Sequence, residues 1–250
     1  MTANEIKGIT CREIPFLSDG FLLKGFLHLP DAARPPVVIG SHGLLSTGTS
    51  PKQIKLAEQC NRLGIGFFRF DHRGSGLREG VFRAVNSFDA RCSDLLNAVE
   101  MIQARNDTGN RIGFFGSSMG GAVCISTASL LDIDALVTFA ALLRSAPIIE
   151  THRNSEDSET LGHGFFEKNF LFDISGRLSK IQNILIFHGE SDEVVPVSHA
   201  VELYEKTGHP KKLIVQEGGD HRMSDTGHQK RFIVEAASWF KQGFDGRGDI

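Results

Sequence analysis

The sequence predicts an α/β fold, with a mainly parallel central sheet and helices on both faces. Short apolar runs recur along the chain, among them residues 37–40, 65–71, 112–115, 135–142, 183–189 and 212–218. Such runs, hydrophobic at nearly every position, are strands buried on both faces, as a parallel sheet requires. Between them lie stretches of about 10–18 residues with helical pattern or composition, and this alternation gives helix-covered parallel sheets. The residues able to carry chemistry fall at the carboxyl ends of the runs, where open parallel sheets bind ligands.

In chain order, residues 7–14 and 21–29 read as an antiparallel pair joined through Ser18, Asp19 and Gly20. After Pro35 and Pro36 comes the strand PVVIGSHG, ending in Ser41, His42, Gly43 and Leu44. Ser50 and Pro51 supply an N-cap and a first-turn proline for a helix that runs to Leu63 and is ended by Gly64. The strand at 65–71 leads into a glycine-rich loop, HRGSGLREG. An amphipathic helix is expected over 88–105, with Leu95, Leu96, Val99 and Ile102 on one face. Then follow a strand at 112–115, a helix at 122–130 and a strand at 135–142. Residues 143–180 break the rhythm, which resumes with a strand at 183–189, a helix at 198–208, a strand at 212–218 and a helix at 226–242.

A chain of 250 residues can bury one sizeable core, and a single domain over residues 1–250 is expected. Hydrophobic content of 40% and charged content of 23% suit a globular protein in water. The net charge is −3 with Lys and Arg scattered, whereas a nucleic-acid partner would need a basic stripe. No apolar run approaches the ~18 residues of a membrane span, so none is expected. The opening MTANEIKGITCREI lacks the apolar segment of a secretory signal. Cys11, Cys60, Cys92 and Cys124 show no C-x-x-C spacing and no companion histidines, so no metal is expected and a reducing, cytoplasmic setting fits. Cys124 reads as a buried thiol. With 19 Phe against one Tyr and one Trp, the aromatic rings are mostly core, with some to spare for an apolar pocket.

Gly116, Ser117, Ser118, Met119 and Gly120 match G-x-S-x-G between a strand and a helix, the context that gives the pattern meaning. A serine on so sharp a turn needs neighbours with almost no side chain, and Gly116, Gly120 and Gly121 provide them. Centring the pattern on Ser117 would require glycine at Phe115 and Met119. The helix N-terminus behind Ser118 offers backbone donors where an oxyanion would form, the Met119 N–H first, with a second from the 42–45 loop. A serine hydroxyl also needs a base and an acid to orient it. After the 183–189 strand comes a loop with Glu190, Asp192 and Glu193; after the 212–218 strand comes His221. His228, at the start of the closing helix, reads as a solvated helix-end residue. His42 and His188, each before a glycine, read as structural, and Asp71 and Arg73 as braces for their loop.

HGESDEVVP (188–196) resembles the acid-bearing H-G-x-x-D-x-x-V-P loop of α/β-hydrolases; SHG (41–43) resembles their oxyanion loop and DHRGSG (71–76) their D-x-R-G-x-G loop. From residue 37 to the last helix the chain is similar to small-lid carboxylesterases such as cinnamoyl and feruloyl esterases, and to monoacylglycerol lipases. The resemblance implies an α/β-hydrolase fold with Ser118 as nucleophile, Asp192 as acid and His221 as base, in the order that family uses. It also implies Leu44 as the second oxyanion donor beside Met119. His42-Gly43-Leu44 departs from the H-G-G-G of some lipases and esterases, which leaves the number of donors open. Lids are inserted in this family where residues 143–180 fall, so a small cap is implied there. Its first part, THRNSEDSETLGHG, is polar and reads as a mobile loop; its second, FFEKNFLFDI, is apolar. Phe165, Phe166, Phe170 and Phe172 dock the cap or line an acyl pocket, with Phe165, Phe166 and Phe170 as the pocket candidates. The implied activity is cleavage of a small-molecule acyl ester through an acyl-enzyme on Ser118, with no metal or organic cofactor. Thioester or amide hydrolysis, and a non-catalytic binding module, are the alternatives.

Overall fold

The computed structural model describes residues 9–76, 79–151 and 164–246. β1 (Ile9–Ser18) and β2 (Phe21–Pro30) form an antiparallel hairpin in continuous register from Ile9↔Pro30 to Ser18↔Phe21. Asp19 (φ 47°) and Gly20 (φ 84°) make its two-residue turn, whose left-handed backbone matches the twist of the paired strands. The pairing carries β1 four residues beyond the expected end at residue 14, right up to that turn. β3 (Val37–Ser41), β4 (Gly66–Phe70), β5 (Ile112–Ser117), β6 (Ala135–Phe139), β7 (Ile184–Gly189) and β8 (Lys211–Gln216) complete an eight-stranded sheet. Its order is β1-β2-β4-β3-β5-β6-β7-β8, parallel from β4 to β8. β3 to β7 are buried at every position except Ser117, which is why they carry no polar alternation.

The chain steps from β3 to β4 on one side and then crosses to β5 on the other. The loops leaving β3 and β5 therefore part in opposite directions and open a crevice between them. α1 (Pro51–Arg62) and α8 (Thr226–Gly246) cover one face, where Phe232 meets Phe115, Phe139 and Phe187. α3 (Phe88–Gln103), α4 (Met119–Ala128) and α7 (Ser198–Lys206) cover the other, with Leu95, Val99, Ala122 and Leu203 in its core. The Ser50 and Ser87 side chains cap α1 and α3. The remaining helices among the described residues are α2 (Glu79–Val85), in what reads from sequence as loop, and α5 (Ala146–Thr151), α6 (Phe165–Asn169) and a 3-10 helix (Ser175–Lys180) in the 143–180 insertion.

The sixth strand stops at Phe139 rather than at 142, because Ala140 turns to φ 52°, outside strand geometry. α8 extends past the expected 242 to Gly246. The insertion is tied at its neck: Phe172 N–H donates to Ser145 Oγ (2.9 Å), Ser145 N–H to Phe172 O (3.1 Å), and Arg144 pairs with Glu202 (2.7 Å). Most of the polar stretch expected to be mobile, residues 152–163, lies outside the described residues. No helix among the described residues is long and apolar enough to cross a membrane. All four cysteines are free, and Cys124 is buried.

A buried polar network ties the loops after β3 and β4 to α3. Asp94 accepts from Ser18 Oγ (2.7 Å), Arg73 N–H (2.9 Å) and Arg73 Nε (2.8 Å), and lies 3.4 Å from His72 Nδ1. Arg73 thus braces its loop as expected, while Asp71 accepts Gly48 N–H. His72 Nε2 is 2.8 Å from Ser41 Oγ, and the His72 backbone N–H donates to His42 Nε2 (3.2 Å). A backbone N–H can only donate, so His42 carries its proton on Nδ1, which donates to Gly43 O (2.7 Å). Burial lowers the His72 pKa to about 4, with Asp94 opposing and Arg91 adding to the fall. Burial, then Arg91 and His72, hold His42 well below its ordinary value. His28 on β2 is lowered to about 4 by burial and by Arg69.

Two predictions follow from this packing. A Cβ on Gly120 would lie 2.1 Å from Ser41 O, where α4 meets β3. Gly120→Ala is expected to cost ~3 kcal/mol or more, read as a lower urea midpoint, because the obstacle is backbone. The histidines set a pH dependence. Unfolded, each binds a proton near 6.5, whereas folded His28 and His72 bind one only near 4. Their stabilisation is full above pH 6.5 and declines as pH falls towards 4, by ~3 kcal/mol for each. Denaturation between pH 4 and 8 measures the slope, and His28→Gln is expected to make it shallower.

Candidate active site

β5 ends in Ser117, and Ser118 stands at the turn into α4 with φ 53° and ψ −121°. A non-glycine residue in that region stores ~1–3 kcal/mol of strain and persists only where its surroundings impose it. Here Ser118 N–H donates to Phe139 O (2.8 Å), and Ser118 O accepts from Gly121 N–H (2.9 Å) and Ala122 N–H (3.2 Å). A Cβ on Gly116 would lie 2.3 Å from Gly120 O, so nothing larger fits at either flank. The backbone is clamped between β6 and the first turn of α4, and the hydroxyl stands at the apex.

His221, beyond β8, places Nε2 3.1 Å from Ser118 Oγ and Nδ1 2.9 Å from both oxygens of Asp192. Asp192, beyond β7, has a fully buried side chain, and its Oδ1 accepts Val194 N–H (2.9 Å) and Val195 N–H (2.8 Å). His188 Nε2 lies 3.3 Å from Asp192 Oδ2 and 2.8 Å from Val195 O, so it holds the acid loop as well as a carbonyl. Burial alone would raise the Asp192 carboxyl. Hydrogen bonds from His188, His221 and Val195 outweigh it, and the group sits well below the usual carboxylate range. Asp192 is therefore an anion at neutral pH. It accepts a hydrogen bond from His221 Nδ1–H, which keeps the proton there and leaves Nε2 as an acceptor for the Ser118 hydroxyl.

The rival residues have other partners. Glu190 accepts Gly218 N–H (3.0 Å) and Glu193 accepts the His221 backbone N–H (3.1 Å), so both hold the histidine's loop and not its ring. His228 lies in α8, with its carbonyl accepting from Gln216 and its N–H donating to Asp225.

Ser118 opens onto a cavity of about 780 Å³ that Leu44, Met119 and His221 also line. A Cβ on Gly43 would lie 3.7 Å from Ser118 Cβ, so the loop after β3 runs directly beside the serine. The apolar lining includes Leu142, Ile148, Ile149, Phe166, Phe170 and Val195. Phe165 does not line it, contrary to expectation. It is buried and packs on Phe82 (5.9 Å between centroids), Phe166 (5.4 Å) and Phe170 (5.8 Å). Phe172 stacks on Phe88 at 3.9 Å. Two of the four rings thus dock the insertion on the body, and the other two face the cavity.

Among the described residues, the lysine and arginine residues of the lining are Lys52 and Arg222. Lys52 Nζ lies 4.1 Å from the Phe139 ring centroid and donates to Arg222 O (3.2 Å). Burial lowers its pKa to about 8, against the pull of Asp220 and Asp192. Sequence reasoning missed Lys52, because a lysine in the first turn of an amphipathic helix is commonplace. It also missed Ile148 and Ile149, which sit on a helix too short for its pattern to show. Among the described residues no group of three or more His, Cys, Asp or Glu is placed to hold a metal ion.

With this geometry in hand, comparison with known proteins places the chain. A family model described as Serine aminopeptidase, S33 matches residues 33–168. YfhR of Escherichia coli O157:H7 is 25% identical over 211 residues, covering 81% of this chain and 70% of that protein. Est1E from Butyrivibrio proteoclasticus, in a structure with ferulic acid bound, gives a TM-score of 0.78 at 20% identity, over 93% of this chain and 99% of that one. Dienelactone hydrolase from Anabaena variabilis gives 0.72 at 18% identity, over 94% and 98%. The structural likenesses show the fold, and the family match covers more than half of the residues. The chain belongs to the Serine aminopeptidase, S33 family of α/β-hydrolases.

Proposed function

We propose that this chain is a serine hydrolase that cleaves carboxylic esters of small molecules through an acyl-enzyme on Ser118. The hydrogen-bonded line from Asp192 through His221 to Ser118, opening onto an apolar cavity, carries the reading. Ser118 Oγ attacks the ester carbonyl carbon as His221 Nε2 takes its proton. The carbonyl oxygen becomes an oxyanion held by the N–H groups of Met119 and Leu44. Asp192 keeps the imidazole in its reactive tautomer and stabilises the imidazolium. The oxyanion then collapses, the ester C–O bond breaks, and His221 hands its proton to the departing alcohol. Water, deprotonated by the same imidazole, releases the acid and restores Ser118. These steps call on no metal or organic cofactor. Residues 143–180 act as a small cap within one domain, giving Ile148, Phe166 and Phe170 to the acyl side of the cavity. The ferulic acid seen with Est1E supports an aromatic acyl group here, and a short acyl group is the other form of this reading.

The family description favours a second reading, release of an N-terminal amino acid from a peptide. An aminopeptidase has to bind the ammonium of its substrate. Among the described residues the charges lining this cavity are the cations Lys52 and Arg222, and no Asp or Glu side chain lines it. A substrate ammonium would meet repulsion, and an uncharged ester would not.

Ser118→Ala is expected to lower kcat/KM for p-nitrophenyl butyrate by at least ~10³-fold. It is also expected to abolish labelling by a fluorophosphonate; wild-type turnover in this variant would remove the assignment. In a panel of short, long and aromatic acyl esters, thioesters and amino-acid p-nitroanilides, esters should be turned over at least ~100-fold faster than anilides. Phe166→Ala is expected to raise KM for methyl ferulate by ~10-fold and leave the acetyl ester nearly unchanged.

A further inference from the structure

Arg91, on α3, is among the largest side chains with no exposure at all. Its Nη1 donates to His42 O (3.2 Å) and reaches Gly43 O (3.5 Å), and its Nη2 donates to Leu44 O (2.8 Å). Nε donates to Asn86 Oδ1 (2.8 Å), and Nη2 also reaches Ser75 Oγ (3.5 Å). These acceptors are all neutral. Asp94, one turn further along α3, is engaged by Ser18 and Arg73. Burying a guanidinium without a contacting carboxylate is costly, so its contacts have to supply something a neutral side chain would not.

What they supply is peptide orientation. In an extended strand successive carbonyls point in opposite directions, yet after β3 three in a row turn towards one cation. Within a planar trans peptide the N–H points away from the C=O. The carbonyl of Gly43 shares its peptide with the N–H of Leu44. When Arg91 Nη1 and His42 Nδ1 hold that carbonyl, the Leu44 N–H is turned to the opposite side. Ser118 lies beside this loop, and Leu44, Met119 and Ser118 line one cavity.

We infer that Arg91 is the positioning residue of the oxyanion site: it locks the peptide between Gly43 and Leu44 with its N–H towards the oxygen that becomes negative during attack by Ser118. The cation also polarises this peptide and strengthens its N–H as a donor. Without Arg91 the carbonyls of this loop lose their anchor on α3, Gly43 O is left with His42 Nδ1 (2.7 Å) and Ser46 N–H (3.3 Å) from its own loop, and a carbonyl turned into the donor's place would repel the oxyanion. The inference rests on the reading of Ser118 as nucleophile.

The test compares wild type, Arg91→Lys, Arg91→Met and Asn86→Ala, with Ser118→Ala as control. Each is assayed for kcat and KM with p-nitrophenyl butyrate. Each is also assayed for Ki with an alkyl trifluoromethyl ketone, which adds to the serine and generates an oxyanion. Arg91→Lys keeps the charge but holds fewer carbonyls; kcat is expected to fall roughly 10–100-fold with KM within about 3-fold. The Ki should rise in step with the fall in kcat. Asn86→Ala, which frees the guanidinium pivot, is expected to show the same pattern at about 3–10-fold, and it decides the matter if the Arg91 variants do not fold. A folded variant with kcat and Ki both within about 2-fold of wild type, or with only KM raised, overturns the inference. Turnover surviving in Ser118→Ala would instead overturn the nucleophile assignment on which it stands.

Discussion

The backbone contact between the start of α4 and the end of β3 governs the arrangement around Ser118. Gly120 sits against Ser41 O so closely that no side chain fits, and Gly116 sits against Gly120 in the same way. That approach leaves Ser118 no relaxed conformation, and its positive φ is held by hydrogen bonds on both sides, from Phe139 and to α4. Because β3 and β5 are neighbours at the point where the sheet order reverses, the same contact brings the 42–45 loop beside the serine. The strain at Ser118 and the nearness of the 42–45 loop have one cause, the packing of a helix with no side chains at its critical positions.

Electrostatics complete what packing begins, and they do so with buried groups of unlike state. Asp192 is held anionic by N–H and imidazole donors, while His42 and His72 are held neutral by burial. An anion next to His221 directs its proton to Nδ1. A neutral His42, with one nitrogen accepting and the other donating, pins a peptide. Arg91, a buried cation, holds the carbonyls of the same loop, so α3 contributes to a site that none of its side chains lines.

The insertion divides its labour by ring. Phe165 and Phe172 bind it to the body through Phe82 and Phe88, and Phe166 and Phe170 line the cavity with Ile148. Four phenylalanines within eight residues look equivalent in the sequence. Their roles separate only once α6 and the following turn are folded against α2 and α3. Lys52 and Arg222 add positive charge to the lining of the same cavity.

Much of this was legible beforehand, because its causes are local. Continuous apolar runs announced buried parallel strands, and glycine around Ser118 announced a turn too tight for other residues. Ser118, Asp192 and His221 could be placed at three strand ends because each follows such a run. The choice of Asp192 over Glu190 and Glu193 came from resemblance alone. In the structure Glu190 and Glu193 accept backbone N–H groups of the loop that carries His221, and only the Asp192 side chain reaches its ring. Arg91, on a helix of mixed polarity, gives no sign in one dimension that it is fully buried, since the carbonyls it holds lie 47–49 residues away. The sequence by itself determined the strands, the elbow and the order of the chemical groups, through local sterics and hydrophobic period. Only the tertiary structure decided which rings face the cavity and which cation orients the loop, because those depend on contacts between segments distant along the chain.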